Sequence, residues 1–291
     1  MTEQSQVVSE SAAPRPPIVV RRPAIDLSTP PAPDLEAIPR YWWGDDAFRT
    51  HFSDALSSTF PFGEAFFVRS VRYYADRVDD PALREAIRGF AGQEGQHSRL
   101  HDDHVAMLAR QGYGGLLTRN AFVDRIMRWH NRHCPRLSLA VTAAVEHLTA
   151  ILARQLLENR DGWVDDMHPT MKDLWQWHAL EEMEHKAVAF DVMEAARIPR
   201  WMRLYAMVGN TFGLAIETFD RMVYMMWKDG RLFDLGGWAR GFRFLFGRGG
   251  FLRGVGSDYR AWYRADFHPD DIDDREAIAS HAARLAPVIA H

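Results

Sequence analysis

The sequence predicts an all-α protein built from several long helices. From Tyr41 onward, apolar residues recur at helical spacing, and no stretch shows the alternating β-branched pattern of a strand. Proline and glycine fall between the helical stretches, where they end one helix or begin the next. The chain has 291 residues, of which 47% are hydrophobic and 25% charged, so it can bury a sizeable core.

Residues 1–40 are expected to form a disordered, proline-rich arm. This stretch holds eight of the fifteen prolines and has no sustained hydrophobic period. Proline removes backbone donors and breaks helices, which leaves such a segment little regular structure. We expect the helical bundle over residues 41–198 and a helical C-terminal extension, packed on that bundle, over residues 199–291.

Caps and helix breakers set the limits of four helices in the bundle. Asp80 is expected to cap a helix that has Pro81 at its first position and ends before Gly112. The four predicted helices are Glu64–Asp76, Pro81–Gln111, the stretch between Pro135 and Gly162, and Pro169 to about Arg197.

Each of these helices carries an acidic residue where its apolar face should lie. Glu64 is flanked by phenylalanines in FPFGEAFFVR. Glu146 is the one formally charged side chain between Arg136 and Arg154. An ionised carboxylate that is buried without a partner is very unfavourable. We therefore expect a cation close to these acids.

Two of the helices repeat the pattern Glu-x-x-His, at Glu94/His97 and at Glu182/His185. Residues three or four apart on a helix face the same way, and His178, four before Glu182, falls in the same stripe. A bundle that projects Glu, Glu-x-x-His, Glu and Glu-x-x-His inward builds the two-metal site of ferritin-like proteins. The sequence therefore predicts a ferritin-like four-helix bundle with additional C-terminal helices and two iron ions, or manganese in their place.

Six side chains are the ligands that this pattern predicts for the two metals. They are Glu64, Glu94, His97, Glu146, Glu182 and His185. Mutual pairing or solvation is the alternative explanation for each of them. Glu64 would then pair with Arg69 or Arg72. Glu146 would pair with a core histidine such as His147.

Three further residues are expected beside the ligands. They are His101, Glu181 and Asp191. Glu181 is also a rival to Glu182 as a ligand, and the Glu-x-x-His spacing favours Glu182. His101 continues the stripe of ligands on its helix but is equally explained as a surface histidine. Asp191 is a candidate to orient a ligand imidazole.

The spacing of the two outer histidines on the last ligand helix raises a geometric question. His178 and His185 lie about 10 Å apart along an ideal helix. If both are ligands, the metals must be spread along the helix axis or the helix must be distorted.

Four stretches carry a family resemblance: FPFGEAFFVRSVRYY, FAGQEGQHSRLHDDH, AVTAAVEHLTAILA and WQWHALEEMEHKAVAFDV. They resemble a bacterial family described as predicted metal-dependent hydrolases, over about residues 60–192 and again at DFHPDD near the C-terminus. The pattern His178-x-x-x-Glu182-x-x-His185 is more distantly similar to the last ligand helix of the di-iron arylamine N-oxygenases. Those enzymes use three histidines and four carboxylates. Carried over to this chain, the resemblance implies seven ligands: Glu64, Glu94, His97, Glu146, His178, Glu182 and His185.

Three function classes follow from such a site. The leading hypothesis is a non-haem di-iron oxygenase or oxidase, because a reduced iron pair can supply two electrons to dioxygen. It would act on a hydrophobic or lipid-like small molecule and need an external electron donor. The alternative is two-metal hydrolysis of an ester or phosphoester. The second alternative is a non-catalytic iron-binding bundle.

The C-terminal extension has two interpretations. Residues 201–230 are rich in Met and aromatic residues, but the charged Glu217, Asp220 and Arg221 argue against a membrane span. Residues 238–254 interleave aromatic residues with arginines. Either these helices pack on the bundle, or residues 201–254 form a basic, aromatic surface that contacts a membrane or a lipid-like substrate.

The remaining composition bears on location and partners. The net charge of −4 gives no case for nucleic-acid binding. A single cysteine, Cys134, excludes an intramolecular disulfide framework and indicates a reducing compartment. Residues 1–20 contain no apolar leader. We expect a cytoplasmic protein, with contact to the inner membrane face as the open alternative, and the sequence does not predict its oligomeric state.

Overall fold

Helices make up most of the structure, a computed structural model that describes residues 16–27, 38–159 and 162–290. The prediction of an all-α protein is confirmed. The helices within these ranges are α1 (Ala47–Ser57), α2 (Phe60–Ala75), α3 (Pro81–Leu108), α4 (Gly115–His133), α5 (Pro135–Glu158), α6 (Pro169–His185), α7 (Val188–Ala195), α8 (Arg200–Lys228), α9 (Leu235–Phe246), α10 (Gly256–Ala261) and α11 (Arg275–Leu285).

The predicted helix signals act as expected at α3 and α5. The Asp80 side chain accepts a hydrogen bond from the backbone N–H of Ala82, and Pro81 occupies the first helical position. Beyond α3, a single wider turn leads to Gly112, whose φ of +112° lies in a region that glycine adopts readily. Pro135 likewise begins α5.

The helix predicted from Pro169 to about Arg197 is two helices, α6 and α7, separated by a break at residues 186–187. The buried Lys186 explains this break. Its ammonium group donates hydrogen bonds to the carbonyl of Ile272 at 2.6 Å and to Asp274 Oδ2 at 2.7 Å. A buried ammonium group must be paired, and its partners lie in the C-terminal segment beside the end of α6.

Four helices surround the centre of the molecule: α2 packs on α3 and α5, and α6 packs on α5 and α3. Among the described residues, α5 is the one helix that is long and apolar enough to cross a bilayer. Most of it is buried against its neighbours. This burial is what a core helix of a soluble protein shows.

The C-terminal helices cover this group of four. Helix α8 runs along α5 and α1, α9 packs on α1, and α11 packs on α6. Trp262, fully buried after α10, stacks on His147 of α5 and contacts Phe190 and Phe267. The side chains of the extension are therefore part of the same core as the bundle.

The N-terminal segment differs from the predicted disordered arm where the structure describes it. Residues 16–27 lie along the bundle, Ile25 and Leu27 are buried, and β1 (Arg22–Pro23) pairs antiparallel with β2 (Ile289–Ala290). The segment fits closely because it crosses α3 at two glycines: a Cβ at Gly89 would meet Ile18, and one at Gly92 would meet Val20. Residues 1–15 and 28–37, which the same prediction covers, lie outside the described residues.

Candidate metal centre

The seven predicted ligands converge between α2, α3, α5 and α6, and none of them is more than 4% exposed. Helix α2 contributes Glu64, α3 contributes Glu94 and His97, and α5 contributes Glu146; the other three come from α6. The helical period brings them together, because each acid or imidazole lies on the inward stripe of its helix.

Glu182 lies at the middle of this group. Its Oε1 atom is 3.1 Å from His178 Nε2, 3.6 Å from His97 Nδ1 and 3.7 Å from His185 Nε2. One carboxylate oxygen therefore faces three imidazoles from two helices. The convergence needs no distortion of α6, which is regularly helical from Pro169 to His185.

Glu94 has a similar position on α3. His185 Nε2 lies 3.1 Å from Glu94 Oε1 and 3.3 Å from Glu146 Oε2. Glu94 also belongs to two groups whose potential ligand atoms lie within 4.8 Å of one another. These groups are Glu64/Glu94/His97 and Glu94/Glu182/His185. A carboxylate shared by two such groups has the position needed to bridge two cations.

His178 lies in two further groups of the same kind. These groups are His97/His178/Glu182 and Glu64/His101/His178. The ring of Phe60 stacks on the His178 imidazole at 4.7 Å between centroids and meets the His101 imidazole edge-on. The position of His178 is thus set by an aromatic wall as well as by Glu182.

Many polar atoms of these side chains make no hydrogen bond within the described part of the chain, although several lie close to one another. Both carboxylate oxygens of Glu64, Glu94 and Glu146 are buried without a hydrogen bond, as are His97 Nδ1 and His185 Nε2. Buried polar atoms in proteins are normally hydrogen-bonded, and so many unsatisfied acceptors in one place are unfavourable unless a cation binds them. Carboxylate and imidazole donors without cysteine suit iron or manganese rather than structural zinc.

The protonation of the side chains at the centre follows from their crowding. Burial, and then the charges of Glu94 and Glu182, raise the pKa of Glu64 well above its usual range. Burial and Glu94 do the same to the pKa of Glu146. Burial also disfavours the charged form of Glu182, but His185 and His178 outweigh it and hold the pKa of Glu182 well below its usual range. The group thus holds excess protons that bound cations would displace.

Two side chains hold the His185 and His97 imidazoles from the side away from the centre. His185 Nδ1 donates to Gln93 Oε1 at 2.9 Å, since the Gln93 amide nitrogen donates to the Val19 carbonyl. His97 Nε2 donates to Glu181 Oε2 at 3.1 Å. Each hydrogen bond leaves the other ring nitrogen facing the centre, as metal-binding histidines require.

These contacts separate the two rival glutamates on α6. Glu182 faces the imidazoles of the centre, whereas Glu181 supports His97 and pairs with Arg21 Nη1 at 3.3 Å. Burial raises the pKa of Glu181 to about 7, although Arg21 acts in the opposite direction. Glu184, next to this pair, binds the Arg21 guanidinium at 2.6 Å through both oxygens.

Asp191 does not take the orienting role predicted for it. Gln93 is the partner of His185 Nδ1, whereas Asp191 accepts a hydrogen bond from His268 Nε2 at 2.8 Å. Asp191 lies on α7, beyond the break after α6, so the continuous helical spacing on which its predicted role depends does not hold.

His101, in contrast, lies directly behind a predicted ligand. Its Nε2 is 2.7 Å from His178 Nδ1, and its Nδ1 is 2.7 Å from Ser57 Oγ. Ser57 also contacts His104 Nδ1 at 2.7 Å, and His104 Nε2 lies 3.1 Å from Asp54 Oδ1. A buried polar chain thus leads from the centre into α1.

Sequence signals for these supporting residues are uneven. His104 continues the histidine stripe of α3, and Gln93 lies four residues before His97, so helical spacing indicates both. Ser57 and Asp54 carry no such signal, because α1 meets α3 only in the folded chain. Arg21 lies in the segment predicted to be disordered.

Two apolar cavities adjoin the centre, and a third lies beyond one of them. The inner cavity, about 50 Å³, is lined by His178 and Glu182 together with apolar side chains. It shares Phe52, Leu56, Leu152 and Leu214 with an outer cavity of about 350 Å³ between α1, α5, α8 and α9. The side cavity, about 250 Å³, reaches Glu64 and Glu182 from the direction of α4 and α8. The centre therefore faces apolar space rather than a polar cleft.

The comparisons with known proteins agree with this geometry. The chain matches the sequence model of a family described as "predicted metal-dependent hydrolase" over residues 28–273, which include all four helices that carry the donors. The comparisons with curated proteins and with solved structures each found no match. The family resemblance seen in the four sequence stretches is confirmed, and the chain belongs to the family of predicted metal-dependent hydrolases.

Proposed function

We propose that this protein is a non-haem di-iron oxygenase or oxidase that acts on a hydrophobic or lipid-like small molecule. One observation carries the proposal: the four buried carboxylates and three imidazoles open directly onto apolar cavities through His178 and Glu182. The donors suit iron, and the cavities suit a substrate with little polar surface. Manganese fits the same donors.

The proposed ligand set follows the two groups that share Glu94. Glu64 and His97 would hold one ion, and Glu146, Glu182 and His185 the other, with Glu94 between them. His178 would complete the set beside Glu182. This is the arrangement of ferritin-like two-metal bundles with one added histidine. The added histidine and the adjoining cavities make simple iron storage a weaker explanation.

A reduced iron pair would supply two electrons to dioxygen. The protein's own residues would balance the charge of the ions and exclude water. Four carboxylates balance the charge of two divalent cations, so the loaded centre is nearly neutral. Phe60 and Phe90 cover the His178 and His185 imidazoles and keep bulk water away. Turnover would require an external electron donor. We infer a cytoplasmic location from the single cysteine.

Two-metal hydrolysis is the second candidate, and the family description favours it. A hydrolase would use the same ions to activate water against an ester or phosphoester. Such a reaction also benefits from polar groups that bind the leaving group. The inner cavity offers Ser53 and Thr149 besides the predicted ligands, and its other walls are apolar. For this reason we place oxidation first.

The test begins with protein loaded with ferrous iron under anaerobic conditions. We expect bound iron near two ions per chain, rapid oxygen uptake on mixing with dioxygen, and a change in the iron absorption spectrum. Glu94→Ala should lose most of its iron and its oxygen uptake. Glu85→Ala, on the exposed side of the same helix, should keep both.

Hydrolysis is measured on the same preparations with nitrophenyl esters of short and long acyl chains. Ester cleavage that requires metal, in protein whose iron does not react with oxygen, would establish the second candidate and refute the first. Bound iron that is stable to oxygen and supports neither reaction would indicate a non-catalytic bundle.

A further inference from the structure

An apolar stripe runs along the outside of α8. Its side chains recur every three or four residues, and each is at least 45% exposed. They are Trp201, Tyr205, Val208, Phe212, Ile216 and Phe219. A helix of a globular protein normally turns polar residues outward, and an apolar surface of this length indicates an interaction site.

The stripe continues onto α9 and the loop before it. Phe219 lies beside Trp238 of α9, with 5.9 Å between ring centroids, and Trp238 stacks on Phe242. Further exposed apolar side chains lie on α9 and in the loop before it. They are Phe233, Leu235, Phe242 and Phe246. The α8 stripe and these four residues together form what we name the apolar face.

Positive charge borders the apolar face. Residues 235–254 contain four arginines and no acid, and all four arginines are exposed. They are Arg240, Arg243, Arg248 and Arg253. The two acids of α8 are already paired, Glu217 with Arg221 and Asp220 with Arg119 at 2.8 Å. The border therefore keeps its positive charge.

The outer cavity opens through this face. Phe219, Phe242 and Phe246 line the cavity and are also about half exposed to solvent. A molecule that entered here would lie among apolar side chains, separated from the inner cavity and Glu182 by the four residues that line both cavities. The mouth therefore suits a molecule that arrives from an apolar phase.

We propose that the apolar face docks on an anionic phospholipid membrane and that the outer cavity takes an acyl chain from it. Aromatic and aliphatic side chains would enter the interface while the arginines bind the anionic headgroups. The docking follows from the apolar face itself, whereas the uptake of an acyl chain toward the metals rests on the proposed function. This uptake narrows the proposed function to a lipid-derived substrate.

The charge pattern favours a membrane over a second copy of the chain. In a two-fold symmetric dimer built on α8 and α9, the arginines that border one face would approach those of the other. Like charges across an interface oppose association. An anionic bilayer complements both the charge of the border and the apolar character of the centre.

Co-sedimentation of the full chain with vesicles tests the docking. We expect binding to vesicles of phosphatidylcholine mixed with phosphatidylglycerol, and weak binding to phosphatidylcholine alone. Arg240→Gln/Arg243→Gln should weaken binding about 25-fold, at about fivefold for each arginine. Phe212→Ser/Ile216→Ser should abolish it. The control Arg84→Gln/Arg88→Gln, an equal charge change on the exposed side of α3, should bind as the unaltered chain does.

Bound iron and oxygen uptake are measured on the same variants and should not change. Failure of the unaltered chain to bind anionic vesicles at low salt would overturn the docking and leave the metal reaction untouched. A dimer in sedimentation velocity that Phe212→Ser/Ile216→Ser converts to monomer would assign the face to a second copy and likewise overturn it. Vesicle binding without oxygen uptake would instead count against the proposed function alone.

Discussion

His178 and His185 approach one carboxylate oxygen of Glu182 from the two ends of the same helix face, with Nε2–Oε1 distances of 3.1 and 3.7 Å. Their spacing along an ideal helix made this arrangement unexpected. Side-chain length closes the gap, because both imidazoles lean toward the residue between them. Glu182 thereby links all three histidines of the centre.

Glu182→Gln and Glu181→Gln should separate the two neighbouring glutamates. We expect Glu182→Gln to lose most of the bound iron, since a neutral amide cannot balance the cations. Glu181→Gln keeps an oxygen for His97 Nε2 and should lower metal affinity by about tenfold, the low end for residues behind a ligand. Iron content by elemental analysis, with circular dichroism to check the fold, gives the answer. Equal iron in both variants would contradict this assignment.

Gln93→Leu should weaken metal binding about 10- to 100-fold, because His185 Nδ1 then loses its acceptor. Competition with a coloured chelator measures the change. Gln96→Leu is the matched control, since Gln96 lies one helical turn away on α3 and is partly exposed. A control that weakens binding as much as Gln93→Leu would show that α3 itself is perturbed.

The positions of the helices could be predicted because their signals are local. Asp80 and Pro81 begin α3, Gly112 follows it, and Pro135 begins α5, all within a few residues of the helix ends. The inward stripe could be predicted for the same reason, since three- and four-residue spacing places Glu94 and His97 on one face.

Features that depend on distant parts of the chain could not be predicted. The break after His185 is stabilised by Lys186 and Asp274, which are far apart in sequence. Residues 16–27 can pack on α3 because Gly89 and Gly92 have no side chains, which leaves room for Ile18 and Val20. Their proline-rich composition alone predicts a disordered arm.

Trp262→Ala should destabilise the protein by about 3–5 kcal/mol, the range for removing a buried aromatic side chain. Trp262 is fully buried between α5 and α7, so the loss should appear as one cooperative shift in chemical denaturation. Trp129→Ala, at a tryptophan that is 57% exposed, should change stability by less than about 0.5 kcal/mol. Independent unfolding of residues 199–290 would contradict the shared core.

Stability should depend on pH through His51, which lies 2.9 Å from Asp229 and 3.7 Å from Asp54. Burial alone would lower the pKa of His51, but the two aspartates outweigh it and raise that pKa above 6.5. The stabilisation by His51, in terms of the free energy of unfolding, is therefore fully present below pH 6.5. It is lost as the pH rises through the raised pKa.

The aspartates act at the other end of the pH scale. Burial opposes their ionisation, but His51, with His104 for Asp54 and Tyr113 for Asp229, lowers both pKa values below 3.8. Their contribution is present above that pH and is lost as the pH falls through the lowered values. Asp229→Asn should make the free energy of unfolding fall less steeply above pH 6.5, as measured by urea denaturation at a series of pH values. An unchanged slope would exclude His51 as its source.

Leu152→Trp should obstruct the passage between the inner and outer cavities, because Leu152 lines both. We expect normal iron content and oxygen uptake, with reduced turnover of long-chain substrates compared with short ones. Leu117→Trp, at an exposed position on α4, is the control. A uniform loss for all chain lengths would show that the passage does not select by length.

The N-terminal segment has a practical consequence for how the protein is produced. A shortened chain that starts at Tyr41, which proline content alone recommends, would lack Arg21 and Val19. Glu181 and Gln93 would then lose partners on which His97 and His185 depend. Such a chain can fold as helices and still contain little iron after purification. Its low activity would then result from the truncation and would not describe the full chain.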